Sequence, residues 1–214
     1  ASAFLGHEHA VLAFSGGLGS LILAAVARKH TEITCVVVGF PGSADVQAAV
    51  LAGKFLDYPV RIVRPTATKA LHTARAIRLS DSRLSALDAL SLVPLFLARA
   101  RYPRDSMLSG FGLTWESPSV RRFLASTTAV IPTLRASETT AIPRVRLLAI
   151  ADLVGIPMSF SRASRRTPAE GSQVGPAIRA LAHHRLAFLF QPHSHLSLGL
   201  CPTGDGVDAE LKEL

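Results

Sequence analysis

Cysteine is scarce in this 214-residue chain, which has two, Cys35 and Cys201, far apart. That spacing excludes a disulfide framework and a cysteine-based zinc site. A reducing, cytoplasmic setting is expected. Long apolar runs are lacking too. No uninterrupted stretch reaches the roughly 18 residues of a membrane span. Val11–Ala27 comes closest, but Ser15-Gly16-Gly17 divides it. No basic segment leads into an apolar run at the N-terminus, so no secretory signal is expected. Lysine is rare: 4 residues, against 19 arginines. Acids number 15 and leave a formal net charge of +8. Asp205, Asp208, Glu210 and Glu213 crowd into the tail, so the rest of the chain is more basic still. Such a balance implies anionic partners, namely nucleotide, pyrophosphate or RNA. The alternative is an arginine-rich habit with no partner behind it. Apolar residues make up 49% of the chain, enough for a large core.

The stretch that organises the rest is V-L-A-F-S-G-G-L-G-S-L-I-L-A-A-V-A, Val11–Ala27. Its first apolar run is short and bounded by glycines, as a buried strand is. Its second is rich in Leu and Ala and long enough for a helix. Gly16 and Gly17 therefore sit in a tight strand-to-helix turn. Glycine there permits positive φ and lets a ligand approach without a Cβ in the way. The free N–H groups at the helix start form an anion site, with Ser15 and Ser20 at its rim. The turn reads as a phosphate cradle; the alternative is a plain βα turn.

Further strands are expected at Ile33–Phe40, Tyr58–Val63 and Ser106–Ser109, with a helix over Asp45–Leu56 that Ser43 caps. Strand, helix, strand, helix, strand with short joints predicts a doubly wound parallel sheet. Ligands in such sheets sit beyond the carboxyl ends of the strands. Residues 66–83 form a polar linker carrying Lys69, His72, Arg75, Arg78 and Arg83. It reads as a solvated helix face or as a cationic channel wall. A long helix follows to Arg101, with Pro94 inside it. Residues 126–138 read as a loop or lid, and 141–154 as a helix with Pro143 in its first turn. Thr167-Pro168-Ala169-Glu170 has capping-box spacing with Pro at the first helical position. His7 and His9 read as exposed lead-in residues. His183, His184, His193 and His195 lack the spacing of a metal site.

Ser15-Gly16-Gly17-Leu18-Gly19-Ser20 resembles the S-G-G-x-D-S signature of the PP-loop ATP pyrophosphatases, also called adenine nucleotide alpha hydrolase-like proteins. It is not a Walker loop, since no lysine follows the glycines. Three further stretches place the resemblance nearest the synthetase domain of asparagine synthetases. Val38-Gly39-Phe40-Pro41-Gly42-Ser43 is similar to their second-strand end. Ser109-Gly110-Phe111-Gly112 resembles the start of their S-G-x-G-x-D-E motif. Arg165 and Arg166, ahead of Gln173-Val174-Gly175, stand where these enzymes place a basic residue before A-x-Q-x-G-S-G.

The resemblance implies a three-layer, Rossmann-like α/β fold with a helical C-terminal part. It implies ATP as the bound nucleotide, cleaved to AMP and pyrophosphate while a carboxylate is adenylylated. Ser15, Gly16, Gly17 and Ser20 would hold pyrophosphate, with Ser109, Gly110 and Gly112 beside them. Val38 and Phe40 would flank adenine, although core packing is the commoner fate of a phenylalanine. Arg165 and Arg166 would take up transition-state charge. The family's two Mg²⁺-holding aspartates are Gly19 and Thr114 here. Asp45, Asp81, Asp88 and Glu116 are substitutes in principle, and the spacing selects none. Three functions follow: an AMP-forming amide ligase, a catalytically degenerate nucleotide sensor or partner subunit, or a tRNA-modifying adenylyl enzyme. The expected organisation is a nucleotide-binding core over 1–125, a helical part completing the site over 126–201 and an acidic tail over 202–214. The expected partner is an adenine nucleotide; RNA on the basic surface and self-association are left open, and no membrane partner is expected.

Overall fold

Each strand ends in glycine, proline or a capping residue that turns the chain into the next helix. The computed structural model describes residues 9–110, 117–126, 131–132, 142–161 and 167–189. β1 (His9–Ala13) leads into α1 (Leu18–Ala27), and β2 (Glu32–Val38) into α2 (Ala44–Leu56). β3 (Val60–Val63) is followed by α3 (Ala67–Ser80) and α4 (Ala86–Arg101). Then come β4 (Ser106–Ser109), α5 (Pro118–Ser126) and β5 (Ile131–Pro132). α6 (Arg144–Leu153), α7 (Met158–Ser161), α8 (Pro168–Gly171) and α9 (Val174–Leu189) follow.

The strands form one parallel sheet in the order β3-β2-β1-β4-β5. The chain builds outward from β1 to β3, then crosses over to place β4 on the other side of β1. Side chains alternate between the two faces of the sheet. Val11, Val36, Val38 and Met107 pack with α3, α4, α5, α8 and α9. Ala10, Leu12, Ile33, Cys35, Val37 and Leu108 pack with α1, α2 and α6. This is the three-layer, doubly wound α/β fold expected from the sequence. Among the described residues, no helix is long and apolar enough to cross a membrane.

Local chemistry fixes the helix starts. The Ser43 hydroxyl accepts from Val46 N–H and opens α2. Ser85 and Asp88 close a capping box on α4, which runs on past Pro94. Thr167 and Glu170 close another on α8, with Pro168 at its start. α6 begins three residues later than the 141–154 span expected, because Pro143 occupies the cap and not the first turn.

Two readings change more. His9 is no lead-in: it is the first residue of β1, in register with Glu32. Its Nε2 hydrogen-bonds Thr34 Oγ1 at 3.0 Å, and its Nδ1 lies 3.6 Å from Asp105 Oδ1. Residues 67–80 are no linker but a full helix. Ala70, Leu71, Ala74 and Ile77 form its buried stripe, and Thr66 caps it. Two of those four are alanines, so the apolar periodicity is faint in the sequence. Cys35 is fully buried, as expected, and burial pushes its thiol up to about 12.

Candidate functional site

The sheet reverses its winding direction between β1 and β4, which are paired up to Ala13 and Ser109. At such a switch point, the loops leaving neighbouring strands diverge and open a crevice. Here those loops are Phe14–Gly17 and the segment starting at Gly110.

Gly16 has φ +71°, and a Cβ there would meet the Ala48 carbonyl carbon at 2.5 Å. Only glycine lets this turn lie against the backbone of α2. Gly17 is the N-cap of α1 and supplies no side-chain cap. The first α-helical bond in this turn runs from Leu21 N–H to the Gly17 carbonyl at 2.9 Å. The Leu18, Gly19 and Ser20 amides therefore have no acceptor within the helix. No acid sits in the first turn of α1. These amides, backed by the dipole of a ten-residue helix, define a positive corner.

The serines fold inward. Ser20 Oγ donates to the Gly17 carbonyl at 2.9 Å, and Ser15 Oγ accepts from Gly17 N–H at 3.4 Å. An incoming oxyanion would exchange these local bonds for its own. Gly110 completes the corner: a Cβ there would come within 2.9 Å of the Ser20 nitrogen. Ser109 beside it is buried. The structure thus brings together Ser15, Gly16, Gly17, Ser20, Ser109 and Gly110, which lie in two separate stretches of sequence.

A second edge adjoins this corner. Past the last paired residues of β1, Phe14 N–H donates to the Val36 carbonyl of β2 at 2.8 Å. On the far side, Gly39 N–H donates to the Val63 carbonyl of β3 at 3.1 Å. Peptide groups alternate in direction along a strand. Val38 N–H and C=O therefore point to the β1 side, where β1 has already turned away. Phe40 differs. Its N–H donates to the Ser172 carbonyl at 3.0 Å, and its ring packs partly buried against the core. Val38 thus presents a donor–acceptor pair, while the Phe40 amide is committed.

The Ser172 contact belongs to a docking the sequence did not reveal. The Ser43 hydroxyl, buried, donates to the Gly171 carbonyl at 2.9 Å. The Asp45 carboxylate lies against Gly171, where an added Cβ would come within 2.1 Å of Oδ1. These bonds join residues more than 120 apart in the chain. Ser43 was legible only as a helix cap. Nothing local marks its second bond, because each hydroxyl can accept one hydrogen bond while donating another.

Arg165, Arg166, Gly112, Thr114 and Glu116 lie outside the described residues, as do His7, His193 and His195. Of the possible substitute carboxylates, Asp88 is held in its capping box and Asp81 is paired with Arg83. Hydrogen bonds from Arg83 hold the Asp81 carboxyl down at about 2. Among the described residues, no group of three or more His, Cys, Asp or Glu is assembled to hold a metal.

No family model and no curated protein matches the chain. Among solved structures, it is similar to the NMN synthetase of Francisella tularensis at 14% identity and TM-score 0.46, over 92% of this chain and 89% of that one. It is also similar to an NH3-dependent NAD synthetase from Campylobacter jejuni at 14% identity and TM-score 0.44, over 96% of this chain and 82% of that one. A third is a predicted subunit of tRNA methyltransferase from Methanocaldococcus jannaschii, at 14% identity and TM-score 0.43, over 74% of this chain and 94% of that one.

Proposed function

We propose that the chain is an adenine-nucleotide-binding protein of the PP-loop type, resembling the AMP-forming synthetase domain of asparagine synthetases. One observation carries the reading. Gly110 closes onto the uncapped start of α1, so the two glycine motifs meet at the switch point of the sheet. On this reading the Leu18, Gly19 and Ser20 amides receive the β- and γ-phosphates. Ser15 and Ser20 swing from their local bonds to donate to phosphate oxygens. The Val38 main chain pairs with the edge of the adenine ring. Arg165 and Arg166 precede Thr167, whose helix is tied to the end of β2, and supply positive charge to the leaving pyrophosphate. Residues 1–125 would form the nucleotide core and 126–201 would complete the site.

The described residues at this corner do not fit a Mg²⁺ ion held by protein carboxylates. Position 19 is glycine, and the first turn of α1 carries no acid. No step here is routed through such an ion. That donor set favours a second reading, a nucleotide sensor or partner subunit without turnover.

Incubation with ATP, Mg²⁺ and candidate carboxylates separates the two readings. AMP and pyrophosphate are expected from a ligase, and calorimetric ATP binding without either product is expected from a sensor. Absence of ATP and pyrophosphate binding at millimolar concentration overturns both. Gly19→Asp combined with Thr114→Asp is expected to confer Mg²⁺-dependent tightening of ATP binding on the same pocket.

A further inference from the structure

Charge is divided unevenly between the two layers that cover the sheet. Residues 58–80, comprising β3 and α3, contain Arg61, Arg64, Lys69, Arg75 and Arg78 and no Asp or Glu. α9 contains Arg179, His183, His184 and Arg185, again with no acid. The fold places these segments together. Ala70, Leu71, Ala74 and Ile77 of α3 share a core with Val174 and Ile178 of α9. β3 is the edge strand, with no neighbour beyond it among the described residues. Val63 of β3 packs into that same core, and Arg61, two residues earlier, shares its face by alternation. The edge strand, α3 and α9 thus border one core, with α3 and α9 packed side by side.

Among the described residues, nothing neutralises the cations on this side. Arg61, Arg64, Lys69, His72, Arg179 and His183 are exposed. Among the described residues, no carboxylate pairs with Arg61, Arg64, Lys69, Arg75, Arg78 or Arg179. Arg78 donates to the Ser82 carbonyl. Lys69, His72 and Arg75 recur at three-residue spacing, along the side of α3 opposite its buried stripe. Unpaired like charges held this close repel one another, and a polyanion relieves that repulsion.

We propose that the β3–α3–α9 side binds the phosphate backbone of a double-helical nucleic acid. The chemistry argues for backbone contact rather than base readout. On this side α3 and residues 174–183 of α9 contain no Phe, Tyr or Trp on which unpaired bases would stack, and the aromatics of the two segments, Tyr58 and Phe188, stand at their ends. Arginine, dominant here, pairs with phosphate oxygens in bidentate fashion. The proposal uses none of the switch-point residues Ser15–Ser20, Ser109 and Gly110, and its test reads duplex affinity rather than nucleotide binding.

The test is fluorescence anisotropy on the full chain with four probes: a short RNA duplex, a DNA duplex of the same sequence, its single strand, and vesicles of anionic lipid. Either duplex is expected to bind more tightly than the single strand and the vesicle. The logarithm of affinity is expected to fall linearly with the logarithm of salt concentration. Lys69→Glu with Arg75→Glu is expected to weaken duplex binding more than tenfold and to reduce the salt slope by about 2. Arg146→Glu, on α6 in the opposite layer, is expected to stay within about twofold. Circular dichroism checks that the double variant folds; Lys69→Gln with Arg75→Gln replaces it otherwise, with at least a threefold loss expected. No duplex binding at ~50 mM salt, preference for single strand or vesicle, or equal losses in the α3 and α6 variants would overturn the proposal.

Discussion

A methyl group on Gly110 would come within 2.9 Å of the Ser20 amide nitrogen and 3.0 Å of the Gly19 carbonyl carbon. The end of β4 and the start of α1 are therefore in backbone contact. Gly110→Ala must move one of them. We expect a stability loss of about 1–3 kcal/mol from overpacking, with at least a tenfold loss in pyrophosphate affinity. Gly16→Ala should cost more, since it adds positive-φ strain to a backbone clash with α2. Urea unfolding and calorimetry of both variants check this. Wild-type stability in Gly110→Ala would show that the contact yields freely.

Ser43 joins two parts of the chain through one hydroxyl. Ser43→Ala removes the α2 cap and leaves the Gly171 carbonyl without its side-chain donor. The expected loss is about 2–3 kcal/mol, a cap plus a buried polar group. Ser85→Ala, at the exposed cap of α4, should cost about 1 kcal/mol. Thermal melts of the two variants compare them. Equal losses would mean that the Gly171 bond contributes nothing.

Asp81 gives a pH dependence of definite sign. Its folded carboxyl titrates at about 2, below the roughly 3.9 of an unfolded aspartate. The pairing with Arg83 thus adds stability above about pH 4, and that stability is lost as pH falls toward 2. The pair lies at the surface, so the effect is small and salt weakens it. Arg83→Gln should flatten the fall in melting temperature between pH 4 and 2 at low ionic strength. An unchanged profile would show that the pairing does not hold in solution.

The sheet was legible because its main strands are short, largely apolar runs followed closely by Gly or Pro, with β-branched residues densest in Ile33–Phe40. Capping chemistry is equally local, so the Ser43, Thr167 and Glu170 positions could be read directly. The switch-point corner was legible as two separate glycine motifs, not as one site. Its closure depends on strand order, which brings Ser109 beside Ala13. Phe40 shows the limit most clearly. Its place at the end of β2 was foreseeable, but the partner of its amide, Ser172, lies far along the chain. Likewise His9 looked like a lead-in residue, because its partners Thr34 and Asp105 come from two other parts of the chain.

The central claim is that bare amides at the start of α1 receive polyphosphate. Backbone amide shifts followed by NMR during a pyrophosphate titration test it most directly. Saturable shifts are expected at Gly17, Leu18, Gly19 and Ser20, with smaller ones at Gly110, and in Gly110→Ala the shifts at residues 17–20 should need at least tenfold more pyrophosphate. Shifts elsewhere with these five unmoved, or none at millimolar pyrophosphate, would contradict it.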